Sequence, residues 1–251
     1  MSHQPRIERE RDFHNQRFGA EHDIREPLNK WYGALAAGTQ AQNDLVRQYG
    51  RGANVLEYGC SDGVISLVND RLAQETAHFH GIDISDKAIE KARQICTSLG
   101  LSNCDFAVMN AEALTFPDNE FDLVFGRGIL HHLDLNKCFS EIFRVLRPGG
   151  KAIFSEPLGH NPALNLFRKM TPQYRTEDEH PLVMSDLEIA RGVFRDIECK
   201  FFGLTTLAAV PFKTTLIGPT MMKLCERADD LLLQVPFVQR HAWSVLIVLT
   251  K

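Results

Sequence analysis

The chain reads as an α/β protein built on a doubly wound, mostly parallel sheet of seven strands, with a helical N-terminal segment and two lid insertions. Three observations point there. From residue 53 to residue 157 short, almost wholly apolar runs alternate with helical stretches, as expected of strands covered on both faces by crossover helices. The first of these runs ends in a loop bounded by two glycines. The chain then closes on one more apolar run, at 242–251.

Residues 1–50 are expected to form an N-terminal helical cap in two pieces. The first is a charged stretch from Arg6 to Phe18, in which Arg6 to Asp12 reads as a solvated face. The second follows Pro27, with Leu28, Trp31, Tyr32, Leu35 and Leu45 as its apolar positions. Residues 51–251 then form the main domain. "NVLEYG" (54–59) is the first strand, and "GVISLVNDRLA" reads as a helix with Val64, Val68 and Leu72 at spacing four. "HFHGIDI" (78–84) is the second strand. The helix at 85–100 has Ser85 as its N-cap, Gly100 as its stop, and an apolar stripe through Ala88, Ala92, Ile95, Cys96 and Leu99. Strands at 105–109 and 121–126, a helix from Asp134 to Leu146, the turn "RPGG" (147–150) and a strand at 151–157 complete the alternation. Insertions at about 157–185 and 205–241 flank a short helix (186–194) and a strand (196–204). The second insertion reads as a buried lid or an interfacial amphipathic segment. Prolines 211, 219 and 236 favour the lid.

The net charge of -4 argues against a general nucleic-acid or anionic-membrane partner, and no basic-aromatic stripe is present. The six cysteines show no CxxC pair and no His/Cys spacing typical of a metal site, so buried thiols in a reducing compartment and no metal are expected. The N-terminus is too polar for a signal peptide, and no window of 18 apolar residues exists. A cytoplasmic protein without stable membrane insertion is expected.

The loop "EYGCSDG" (57–63) carries Gly59 and Gly63, but Ser61 and Asp62 stand where a dinucleotide loop needs a second glycine and no acid. With Glu57 adding another carboxylate, the loop suits a ligand with a cationic part. Together, "LEYGCSDG", "GIDIS", "NAEALTFPDNEFDLVFGRGILHHL" and "LRPGG" resemble the successive motifs of class I S-adenosylmethionine-dependent methyltransferases, in order and spacing over residues 53–155. Ser61 departs from the family's usual glycine. The resemblance implies a Rossmann-like methyltransferase fold with the last strand antiparallel, S-adenosylmethionine as cofactor and S-adenosylhomocysteine as product.

It further implies a set of cofactor contacts. Glu57 and Gly59 would line the methionine portion, while Ser61 and Gly63 would offer polar groups at the helix start. Asp83 would accept the ribose hydroxyls, and Ile84 would pack on the adenine. Asn110, with Ala111 and Glu112 beside it, would reach the adenine amine, although Glu112 also reads as a solvated helix start. Arg127 reads equally as a methionine-side contact or a surface ion pair.

Methyl transfer is an in-line displacement that needs alignment, a dry site and, for a protonated acceptor, a base. His131 and His132 are the candidates for that base or an orienting group, and a role in fixing the turn before Asp134 is the alternative. Because adjacent residues diverge, one of the pair at most is expected to reach the acceptor. The segment 156–182 offers Glu156, His160, Arg168, Tyr174, Arg175, Asp178 and His180 for either a polar acceptor pocket or a solvated connector. Residues 205–237 would form the opposite wall of a pocket for a small, partly apolar acceptor. Trp31 and Tyr32 are expected mainly in core packing. Two other readings compete: an NAD-dependent oxidoreductase on the same topology, and a non-catalytic binding or partner protein.

Overall fold

The computed structural model describes residues 5–20, 25 and 28–251. Pro27 lies outside the described residues. The N-terminal segment forms α1 (Arg6–Gly19), α2 (Asn29–Tyr32) and α3 (Ala36–Gly50). The alternating region gives β1 (Asn54–Tyr58), β2 (His78–Asp83), α4 (Asp86–Ser98), β3 (Cys104–Val108), β4 (Phe121–Arg127), α5 (Leu135–Val145) and β5 (Leu146–Pro157). The remainder gives α6 (Pro162–Met170), α7 (Asp186–Arg191), β6 (Asp196–Phe202), α8 (Thr206–Ala209), α9 (Gly218–Leu232), α10 (Pro236–Gln239) and β7 (Ser244–Thr250).

The seven strands lie in the order β3-β2-β1-β4-β5-β7-β6. β1 to β5 pair in parallel, and β7 runs antiparallel to both β5 and β6. The order reverses between β1 and β4, so their carboxyl ends frame the crevice where this architecture binds ligands. Side-chain alternation divides the core between the two faces of the sheet. Leu56, Tyr58, Phe154, Val245 and Ile247 pack with α5 on one face, whereas Val55, Phe125, Ile153 and Leu246 pack with α4 on the other.

Several local expectations change. The stretch after Gly63 forms one π-type turn (Val64–Asn69), and it buries Ser66 and Leu67 while Val68 stays exposed. The wider turn moves the buried face off the spacing-four pattern. On α4, Ser85 caps Ala88 N as expected, but Leu99 lies beyond the helix end and is exposed. β5 starts at Leu146 and takes up "RPGG" as an irregularity in its pairing with β4. The first insertion is not wholly irregular, because Asn161 caps Ala163 N and Leu164 N and Pro162 fits the first turn of α6.

The second insertion buries Thr206, Ala209, Val210 and Leu233, but its main helix lies at the surface. Pro219 is accommodated in the first turn of the 15-residue α9, whose only buried residues are Gly218 and Asp229. Ile217, Leu224 and Leu231 face solvent. What fixes α9 is Asp229, whose carboxylate accepts from the backbone N–H groups of Leu204 and Thr205 and the hydroxyls of Thr205 and Thr206. Cys60, Cys96 and Cys138 are buried, the other three are half-buried, and all six are free thiols. Among the described residues no helix is long and apolar enough to cross a membrane.

Candidate active site

A cavity of about 870 Å³ opens over the carboxyl ends of β1, β2, β4 and β5. Its first wall is the loop after β1. Gly59 has φ +63°, and a Cβ there would meet Ile129 at 3.0 Å, so the position suits glycine on two grounds. Ser61 is also left-handed, at φ +53°, which is the conformation the usual glycine would supply. Its N–H donates to Asp83 Oδ2 at 3.0 Å, while Asp83 Oδ1 accepts from Ser85 N at 2.9 Å. Asp83 therefore ties the ends of β1 and β2 together and still has lone pairs to offer the cavity. Burial pushes its pKa up, and those backbone bonds pull it back.

Gly59, Ser61, Asp83, Ile84, Asn110, Ala111, Glu112 and Arg127 all line the cavity. Glu57 and Gly63 do not. The Glu57 side chain turns under the loop, where Oε1 accepts from Ser66 Oγ at 2.6 Å and Oε2 has no hydrogen-bond partner among the described residues. Full burial raises its pKa to about 7, against the lowering effects of Ser66 and Arg127. Gly63, at φ +76°, abuts Leu67 and Ala92 below the loop. Asp62 closes the turn by accepting from Val64 N.

Glu112 is buried rather than solvated. It accepts from Asp134 N at 2.8 Å and pairs with Arg6. Arg127 is more than a surface pair: it is linked to Gln42 Oε1 at 3.0 Å, Asp70 Oδ2 at 2.8 Å and Asn43, and these bonds fix α3 against the end of β4.

Beyond this region the cavity continues to the histidines. Leu130–His132 forms a 3₁₀ turn, and both imidazoles are buried and line the cavity, with ring centroids 4.2 Å apart. The expected divergence fails because neighbours in a 3₁₀ turn are about 120° apart, not the 180° of a strand. Glu156, at the end of β5, holds the turn. Its Oε1 accepts from Ile129 N and Leu130 N, each at 2.9 Å, and its Oε2 lies 2.7 Å from His131 Nδ1. With Glu156 ionised, this bond puts the proton on Nδ1 and leaves Nε2 as an acceptor. Burial drives His131 well below the ordinary histidine range, with His132 adding to the effect, and raises Glu156 to about 7.

Arg175 also lines the cavity, whereas His160, Tyr174 and His180 do not. His160 Nε2 accepts from Met184 N, and the Tyr174 carbonyl accepts from Arg25. His180 is exposed while its N–H donates to the His131 carbonyl, and the preceding Glu179 lies beside His131. Residues 205–241 supply only Leu207 to the cavity walls, so the expected opposite wall is instead built by α1, α2 and α6. Trp31 and Tyr32 belong to that rim. Tyr32 is largely exposed and stacks on Trp243, and Trp31 lies 6.2 Å from Phe167.

The charged helix α1 contributes most that the sequence reading missed. Arg6, Glu10 and His14, at spacing four, form one face of the helix and line the cavity, so the signal was a polar stripe. Glu10 Oε2 stands 3.2 Å from His132 Nδ1 and 3.7 Å from His14 Nε2. Ligand atoms of Glu10, His14 and His132 lie within 4.8 Å of one another, as do those of His131, His132 and Glu179. Residue spacing cannot show such clusters, because they join distant segments. Arg17 and Arg25 nearby oppose a cation there, and burial, followed by repulsion from His132, lowers His14 to about 3.

A family profile described as "Methyltransferase domain" matches residues 50–190, more than half of the chain. The chain belongs to the methyltransferase domain family. It is 35% identical over 112 residues to the ubiquinone/menaquinone biosynthesis C-methyltransferase UbiE of Pseudoalteromonas translucida, and 33% identical over 113 residues to that of Escherichia coli O1:K1. Each match covers 43% of this chain and 45% of the relative, so the chain spans about half the length of the curated relatives it matches.

Two solved methyltransferases share the fold. Geranyl diphosphate C-methyltransferase of Streptomyces coelicolor A3(2) superposes with a TM-score of 0.64 at 14% identity, over 100% of both chains. Phosphoethanolamine N-methyltransferase 2 of Haemonchus contortus, in complex with S-adenosyl-L-methionine, superposes with a TM-score of 0.64 at 18% identity, over 95% of this chain and 60% of that one.

Proposed function

We propose that the protein transfers a methyl group from S-adenosylmethionine to a small, partly apolar acceptor. The observation that carries this reading is one continuous cavity. It joins the Gly59–Ser61–Asp83 cradle, at the point where strand order reverses, to a buried histidine oriented by a glutamate.

The cradle fits the cofactor in kind. Asp83 at the end of β2 has the acceptors for a ribose diol, Ile84 and Met109 offer apolar surface for the base, and Asn110 stands beside them. Glu57 acts from beneath, by fixing Ser66 and the loop. When bound, the cofactor supplies an electrophilic methyl group on a positively charged sulfur. The chain's own work is then to place a nucleophile and take up its proton. In the acceptor chamber, His131 Nε2 receives the proton released as the new bond to the methyl carbon forms, and Glu156 holds the imidazole in the tautomer that allows it. Trp31, Leu164 and Phe167 give the chamber an apolar side, which excludes water from the transfer. Relatives named for quinone biosynthesis and for geranyl diphosphate methylation agree with an acceptor that has an apolar part.

The test compares S-adenosylhomocysteine with NADH in thermal unfolding. At a hundredfold its dissociation constant the former adds about 2.7 kcal/mol, and NADH adds nothing. Label from methyl-labelled S-adenosylmethionine should also pass to a small molecule of a cell extract. Stabilisation by NADH alone would overturn the reading. Stabilisation without any labelled product would leave a binding protein.

A further inference from the structure

We infer that the acceptor carries an oxyanion, a carboxylate or a phosphate, and that Arg168 and Arg175 hold it beside His131. This rests on the reading of the cavity as a methyl-transfer site. The class so named is a small acid whose methylated atom lies within a few bonds of its anionic group.

The observation is a set of unused guanidinium donors at the acceptor end, among the described residues. Arg168 on α6 and Arg175 in the following loop both line the cavity. Glu179 is shared: its carboxylate lies 3.6 Å from Arg175 Nε and 3.7 Å from Arg25 Nη2. Among the described residues Arg168 has no carboxylate within 4.0 Å. Its Nη1 donates to the Leu158 carbonyl at 3.0 Å and to Asn165 Oδ1 at 2.8 Å, and among the described residues Nε and Nη2 have no acceptor. Arg175 donates through Nη1 to Thr171, and its buried Nε has no hydrogen-bond partner among the described residues.

Arg175 Nε, enclosed without a hydrogen-bond acceptor among the described residues, is costly to leave so, and the open donors of Arg168 beside it are available to an incoming acceptor. Burial, and after it the charge of Arg175, lowers Arg168 to about 10. A guanidinium fork matches the two oxygens of a carboxylate or phosphate better than it matches a single hydroxyl. Position completes the argument. Glu179 Oε1 is 3.7 Å from His131 Nε2 and 3.6 Å from Arg175 Nε, so an oxyanion on the arginines lies one side chain away from the proposed proton acceptor.

The experiment titrates phenyl phosphate, benzoate and neutral benzyl alcohol into the full chain saturated with S-adenosylhomocysteine. The expected result is that at least one anion binds, with benzyl alcohol weaker by about tenfold or more. Which anion binds more tightly decides between phosphate and carboxylate. Arg168→Gln should weaken the anion by about tenfold or more, with Arg168→Lys in between. Both should leave the affinity for S-adenosylhomocysteine unchanged, which also reports that the variants are folded. Arg175→Gln supplies a second, independent removal of a donor. Equal binding of benzyl alcohol and the anions, or an anion affinity that neither glutamine variant changes, overturns the inference. Loss of S-adenosylhomocysteine binding by the unaltered protein, with anion binding and its dependence on Arg168 intact, sinks the methyl-transfer reading and leaves the arginine site standing.

Discussion

Glu57 is enclosed between the sheet and the loop after β1, with Ser66 as its hydrogen-bonding partner. Its folded pKa of about 7 lies above the unfolded value of 4.5 because burial disfavours the charge. A raised carboxyl contributes stability that is fully present below the unfolded value and lost as pH rises through 7. Glu57→Gln keeps an acceptor for Ser66 and removes the titration. Urea unfolding of both proteins without ligand should therefore show the variant gaining about 1.4 kcal/mol on the parent between pH 6 and pH 9. A pH-independent difference would mean that Glu57 is ionised throughout. The sequence identified this residue as part of the loop but misjudged its direction. The acid at the end of β1 alternates with Tyr58, and the π-type turn that brings Ser66 under it leaves no mark in apolar spacing. The place of Asp83 and Ser61 at the cavity was more legible, since both stand at the carboxyl ends of strands flanking the point where strand order reverses.

At the scale of elements, the strands and α4 and α5 were readable because apolar runs and caps repeat on known periods. The insertions were not. α6 is set by one Asn-Pro cap, and α9 by a buried aspartate whose partners lie over 20 residues away in sequence. Ser85 shows how much one cap can hold. Its hydroxyl accepts from Ala88 N at 3.1 Å and donates to Asn15 Oδ1 at 2.7 Å, while Asn15 Nδ2 donates to Asp86. The residue thus starts α4 and pins α1 to it. Ser85→Ala should cost about 1–2 kcal/mol in equilibrium unfolding, roughly a cap plus one further hydrogen bond. A cost below about 0.5 kcal/mol would show that neither bond matters to stability.

For the whole molecule, the mostly parallel sheet followed from the alternation of strands and helices, whereas the cavity depends on long-range encounters. Arg9 pairs with Asp178, Glu10 accepts from Thr176, Arg6 meets Glu112, and Glu10 meets His132. No local pattern announces such partners, which is why the floor of the site was legible and its roof was not.

That roof has an uncommon composition. Of α1's residues only Glu10 and Phe18 are buried, so the helix is held over the cavity mainly by charge and hydrogen bonds. Salt weakens such contacts: screening shortens from about 10 Å at 0.1 M to about 3 Å at 1 M ionic strength. Ionic strength should therefore act as a control on access. Hydrogen exchange of α1 amides is expected to speed up between low and molar sodium chloride while β1 and β4 stay protected. Equal protection of α1 at both extremes would show that something other than charge keeps the roof in place. If the helix loosens as expected, the surrounding electrolyte governs how long a small molecule stays inside.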